Sequence, residues 1–103
     1  MIFEVHRKIA SDHPALAGHF PGNPIVPGVL ILDEVIQAAE QWRGQLRLKK
    51  VESVKFTSLL EPDRDFSIQL REVERLHIAF ECLLEGSPLA SGRLEIELDA
   101  GES

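Results

Sequence analysis

The chain has 103 residues, with 17 acidic against 11 basic side chains and a formal net charge of −6. At this length one domain, residues 1–103, is the natural count, with a modest core. The acidic balance argues against a broad nucleic-acid surface, which needs clustered excess Lys and Arg, and no apolar run approaches the roughly 18 residues of a membrane-spanning helix.

Residues 2–9 alternate, Phe3 and Val5 on one face and Glu4 and His6 on the other, which predicts a first strand. Residues 11–27 hold four of the six prolines and two glycines and read as a long ordered loop, the kind that is often functional. Residues 28–43 predict the one substantial helix. Pro27 suits its entrance. Val29, Leu30, Ile31, Leu32, Val35, Ile36, Ala38, Ala39 and Trp42 cover most of its circumference, so it is expected to be buried. Gly44 can stop it. Beyond it the period becomes two. Strands are predicted at 51–57, with Val54 and Phe56 facing one way, around Phe66, Ile68 and Leu70, along Leu76, Ile78, Phe80, Cys82 and Leu84, and at Leu94, Ile96 and Leu98. Glu61-Pro62-Asp63 and Gly86-Ser87-Pro88 read as turns, and Ala100 to Ser103 as a frayed tail. Consecutive strands with short links predict an antiparallel meander. The fold class is α+β, a curved antiparallel sheet wrapped around one long buried helix.

Cys82 is the only cysteine, so no internal disulfide exists and a reducing compartment fits. The start, Met1 to Val5, lacks the basic and apolar regions of a secretion signal, and a cytoplasmic location is expected. His6, His13, His19 and His77 lack metal-ligand spacing, and no phosphate-cradling glycine loop is present. No metal is expected.

The densest signal is His19-Phe20-Pro21-Gly22-Asn23-Pro24-Ile25-Val26-Pro27-Gly28, followed by Asp33 and Gln37. It sets an imidazole on stiff backbone and plants a carboxylate inside an apolar helix, the pairing that proton transfer requires. The run resembles the signature of the beta-hydroxyacyl-[acyl-carrier-protein] dehydratases, the FabZ/FabA group of hotdog-fold enzymes. Their pattern His-Phe-x-Gly-x-Pro-x-x-Pro-Gly, then an acid about five residues on and a Gln one turn later, falls on His19, Phe20, Gly22, Pro24, Pro27, Gly28, Asp33 and Gln37. The match is dense over residues 12–39. At the acid the FabZ branch usually has Glu and the FabA branch Asp. The resemblance implies a hotdog fold.

Among side chains such as Val29, Leu30 and Ile36, Asp33 is expected to be poorly solvated, so that it keeps a proton for use as a general acid. The alternative is a solvated stripe of Asp33, Glu34, Gln37 and Gln41. His19 titrates near neutrality and can serve as a base, or be structural. The Gly28 amide, in the first helical turn, can donate to an oxygen gaining charge, or Gly28 is a turn glycine only. The resemblance makes His19 and Asp33 catalytic and implies elimination of water from a 3-hydroxyacyl thioester carried on phosphopantetheine, with no further cofactor. It also implies a dimer in which His19 of one chain meets Asp33 of its partner. Gln37, Phe20, Gly22 and Pro27 would support the site. An acyl carrier protein is acidic, and Arg43, Arg47, Lys49 and Lys50 form the one basic cluster that suits it; the alternative is a solvated helix end. Other readings are a non-catalytic hotdog subunit paired with a different chain and a hotdog thioesterase. His13 is expected to shape the loop, His77 to be solvated, and Cys82 to be a core residue.

Overall fold

The computed structural model describes residues 2–16, 25–44 and 46–98. His19, Phe20 and Gly22, and the tail from Ala100, lie outside the described residues.

Among the described residues five strands, one α-helix and a short 3-10 turn (Pro14–Leu16) are formed: β1 (Phe3–Lys8), α1 (Gly28–Arg43), β2 (Leu46–Phe56), β3 (Asp65–Glu74), β4 (His77–Leu84) and β5 (Ser87–Leu98). All strand pairings are antiparallel, in the order β1-β3-β4-β5-β2. Only β3, β4 and β5 follow one another as a meander. The expected continuous meander is corrected at β2, which pairs with β5 at the far edge. The link 57–64 then carries the chain past the helix entrance to the β1 end. Leu60 is fully buried and its carbonyl accepts from Val26 N (2.8 Å), Asp63 N donates to Ile9 O (2.8 Å), and Ser11 N donates to Asp63 Oδ1 (3.1 Å).

β2 also begins five residues earlier than predicted, at Leu46. Two register shifts, at Leu48/Lys50 and Val51/Ser53, break its alternation. Each inserts one residue, which keeps Leu46, Leu48, Val51, Val54 and Phe56 on the helix side. Read without the bulges, this stretch is a basic cluster. Arg47, Lys49 and Lys50 therefore belong to an edge strand, where Arg47 pairs with Glu97 (2.9 Å) and Lys49 with Glu95 (3.4 Å) across to β5.

The helix is buried on one side only. Ile31, Val35, Ala38 and Ala39 pack onto Phe66, Ile68, Leu70, Ile78, Phe80, Cys82, Leu94 and Ile96 of the sheet. Phe3 stacks on Trp42 with centroids 5.7 Å apart, and Arg7 reaches Glu34 (3.3 Å) and Gln41 (2.7 Å), which joins β1 to the helix. Asp33, Gln37, Glu40 and Gln41 line the other side and are exposed, and Val29 keeps 69% of its surface in solvent. The expected all-round burial is corrected accordingly: one sheet can cover only one stripe of a helix. Gly44, at φ 78°, ends the helix with its N–H on Glu40 O (2.7 Å).

Cys82 is fully buried on β4, and burial pushes its thiol up to about 12. Since the thiolate is the reactive form, the folded protein is expected to resist alkylation by iodoacetamide at neutral pH and to react fully once denatured. Equal rates in both states would contradict this packing.

His77, expected to be solvated, is instead half-buried on the outer sheet face, with Nδ1 3.0 Å from Glu52 Oε1. Arg93 Nε donates to the same oxygen (2.9 Å) and its guanidinium also pairs with Glu74. The His77 hydrogen bond, against partial desolvation and with help from Arg93, holds the Glu52 carboxyl below its ordinary range. A carboxyl lowered in the folded state stabilises above its unfolded value, and that contribution is lost as pH falls through the lowered one. Glu52→Gln is therefore expected to lower the melting temperature in neutral buffer and to match the parent in strong acid. A pH-independent difference would contradict the assignment.

Candidate active site

Pro27 takes an extended conformation (φ −61°, ψ 143°) as the N-cap residue, and the helix starts at Gly28. Pro27 supplies no side-chain cap and no acidic side chain lies in the first turn, while Leu30 N already bonds Pro27 O (3.0 Å). Gly28 and Val29 thus carry first-turn amides, the groups a helix itself cannot pair.

A Cβ placed on Gly28 would lie 2.6 Å from Phe56 Cζ and 2.9 Å from both Cε atoms. The Phe56 ring occupies the space a side chain at Gly28 would take, so any larger residue there must push the ring aside. Phe56 is 45% exposed, and Val29, Val54 and Leu59 are exposed as well. Val29 lies at the helix entrance, Val54 and Phe56 at the strand end that meets it at Gly28, and Leu59 in the link that follows, so apolar side chains remain exposed there.

Asp33 and Gln37 stand one turn apart on the exposed side of the helix, and Gln37 Nε2 donates to Asp33 Oδ2 (2.8 Å). The apolar enclosure expected for Asp33 is not provided by its own chain, because the helix side that bears it faces away from the sheet. Gly28, Asp33 and Gln37 are brought to one helix; Arg43, at its far end, bonds Glu72 and lies over the Trp42 ring (4.1 Å to the centroid). The alternation of β2 places Phe56 on the inner face, but nothing in the sequence identifies Gly28 as what its ring meets.

The family model described as "ApeI-like: ApeI dehydratase" matches residues 2–93. The chain belongs to the ApeI-like dehydratase family. The 3-hydroxyacyl-[acyl-carrier-protein] dehydratase FabZ of Lactobacillus helveticus is 36% identical over 73% of this chain and 51% of its own length. FabZ of Aliarcobacter butzleri is 29% identical over 91% of this chain and 71% of its own. The chain spans about half the length of the first of these relatives. In structure it is similar to a chain of the dehydratase heterocomplex ApeI:P from Xenorhabdus doucetiae, with a TM-score of 0.80, 21% identity and coverage of 93% of this chain and 87% of that one. It is also similar to a point mutant of the fluoroacetyl-CoA-specific thioesterase FlK, with a TM-score of 0.78, 12% identity and coverage of 99% of this chain and 87% of that one. The fold of this ApeI-like chain is accordingly the hotdog fold, as the motif implied. Among its described residues no helix is long and apolar enough to cross a membrane.

Proposed function

We propose that this ApeI-like chain removes water from a 3-hydroxyacyl thioester, carried on an acyl carrier protein, to give a trans-2-enoyl thioester in fatty-acid or polyketide and aryl-polyene-type synthesis. The observation that carries the reading is the carboxyl of Asp33, fixed by Gln37 one turn inside a helix whose uncapped start, Pro27–Gly28, lies under an apolar lid. His19 takes the proton from the α-carbon. The thioester oxygen gains negative charge and accepts from the Gly28 N–H. Asp33 protonates the β-hydroxyl as the C–O bond breaks, and water leaves. The Gln37 amide holds Asp33 by one oxygen and leaves the other for the substrate. Phe20 and Gly22, which follow His19 in the sequence, and Pro27 are the proposed support of the site beside Gln37. The thioester itself acidifies the α-proton, so no cofactor is called for.

A single chain leaves Asp33 open to water, and a second copy closes the site. Edge strand β2 carries an unpaired row of backbone groups, and its bulge-free end, Ser53–Phe56, adjoins the exposed Val29 and Leu59. Such an edge calls for a cover. The resemblance, which sets the base of one chain opposite the acid of its partner, makes a dimer paired through the two β2 edges the proposed closed form, with Asp33 facing the partner's His19. The similar ApeI:P chain belongs to a heterocomplex, so a partner of different sequence on this edge is the alternative to a second copy. Arg43, Arg47, Lys49 and Lys50 are the proposed carrier-docking patch. The first three are each balanced by a carboxylate, and of the four only Lys50 has no ion-pair partner among the described residues.

The thioesterase reading draws on the likeness to FlK. Mass spectrometry of a 3-hydroxybutyryl carrier protein incubated with this chain separates the two. Loss of one water with the acyl group retained is the expected result. Release of the acyl group points to hydrolysis, and an unchanged substrate to a binding subunit.

A further inference from the structure

We propose that Phe56 determines specificity by limiting the size of the group next to the reacting carbonyl, so that acyl groups unbranched at the α-carbon are preferred. The inference rests on the dehydratase reading above, with the carbonyl on the Gly28 amide. The ring points end-on at Gly28, with Cζ and both Cε atoms within 2.9 Å of a Cβ position there. Its backbone cannot easily withdraw. Phe56 pairs with Ala90 at the end of β2, Thr57 N donates to Leu89 O (2.9 Å), and Ser58 Oγ donates to Pro88 O (2.9 Å). Further along the same link Leu60 is buried, and its carbonyl accepts from the N–H of buried Val26. In the single chain the ring has solvent on one side and the helix entrance on the other.

A carbonyl oxygen bonded to the Gly28 N–H sits about 2.9 Å from that nitrogen. Its α-carbon is then two bonds away, and the proposed pose sets it toward the ring edge, where carbon atoms pack at about 3.5–4 Å. A hydrogen on that carbon fits the space. A methyl group has to displace the ring. One methylene of room in an apolar pocket typically changes selectivity by about 10–200-fold.

The test compares kcat/KM for 3-hydroxybutyryl and 2-methyl-3-hydroxybutyryl groups, both α-epimers, on one carrier protein. The enzymes are the parent, Phe56→Ala and Phe56→Leu. The parent is expected to favour the unbranched substrate. Phe56→Ala is expected to raise the branched-to-unbranched ratio by about tenfold, and Phe56→Leu by less. A merely structural role would lower both values together and leave the ratio unchanged, and that outcome overturns the inference while the dehydratase reading stands. Leu keeps an apolar filler at this half-exposed position, so the comparison survives if the Ala variant folds poorly. Absence of elimination by the parent on either substrate overturns the dehydratase reading and this inference with it.

Discussion

Asp33→Asn is expected to lower kcat for elimination by about a hundred- to ten-thousand-fold, the usual contribution of a positioned proton donor. The substitution is nearly isosteric, and the amide oxygen still accepts from Gln37 Nε2. It removes the acidic proton that the departing hydroxyl needs. Asp33 is exposed in the single chain, so folding is expected to change little, within about 0.5 kcal/mol. Steady-state rates on a 3-hydroxyacyl carrier protein, with thermal melting as the control, check both halves. An Asn variant that retains most of the parent rate would remove Asp33 from the chemistry. One that melts far below the parent would mean that the Asp33–Gln37 pair supports the fold.

The second large effect concerns the sheet that holds the site. Gly92 on β5 pairs with Val54 on one side and Phe80 on the other. A Cβ there would lie 2.2 Å from Ser53 O and 2.7 Å from Phe80 Cε2 and Cζ. The first obstacle is backbone and cannot rotate away, so a side chain must force β2 off β5. Gly92→Val is expected to cost about 3 kcal/mol or more, seen as a fall in melting temperature of more than about 10 °C for a domain of this size. The same shift carries Phe56 away from Gly28. Parent-like melting would mean that β2 does not cross Gly92 as described.

Much of this architecture is legible in the sequence wherever a single period runs unbroken. Phe3 and Val5 mark β1, the apolar positions from Val29 to Trp42 mark the helix, and Ile78, Phe80 and Cys82 mark β4. The start of β2 is hidden because its bulges double the outward residues, which turns a strand into an apparent patch of charge. The strand order is hidden because the short link after Phe56 suggests a hairpin, while buried Leu60 and its bond to Val26 draw that link across the helix entrance instead. At the site, the four-residue spacing of Asp33 and Gln37 puts both on one side of the helix, and they are bonded there. Spacing alone does not show that this side faces away from the chain's own sheet. Nor does it show that the Phe56 ring meets Gly28. Alternation marks His77 as outward without revealing that Glu52 and Arg93 converge on the same face.

The proposed site takes its acid from one chain and its base from another. Mixing separately inactive His19→Ala and Asp33→Asn proteins, after dissociation and reassembly, tests this most directly. Random pairing places one intact site in each mixed dimer, so the mixture is expected to recover on the order of a quarter of the parent activity. A mixture as inactive as its two components, in dimers shown to have exchanged chains, would contradict the shared site.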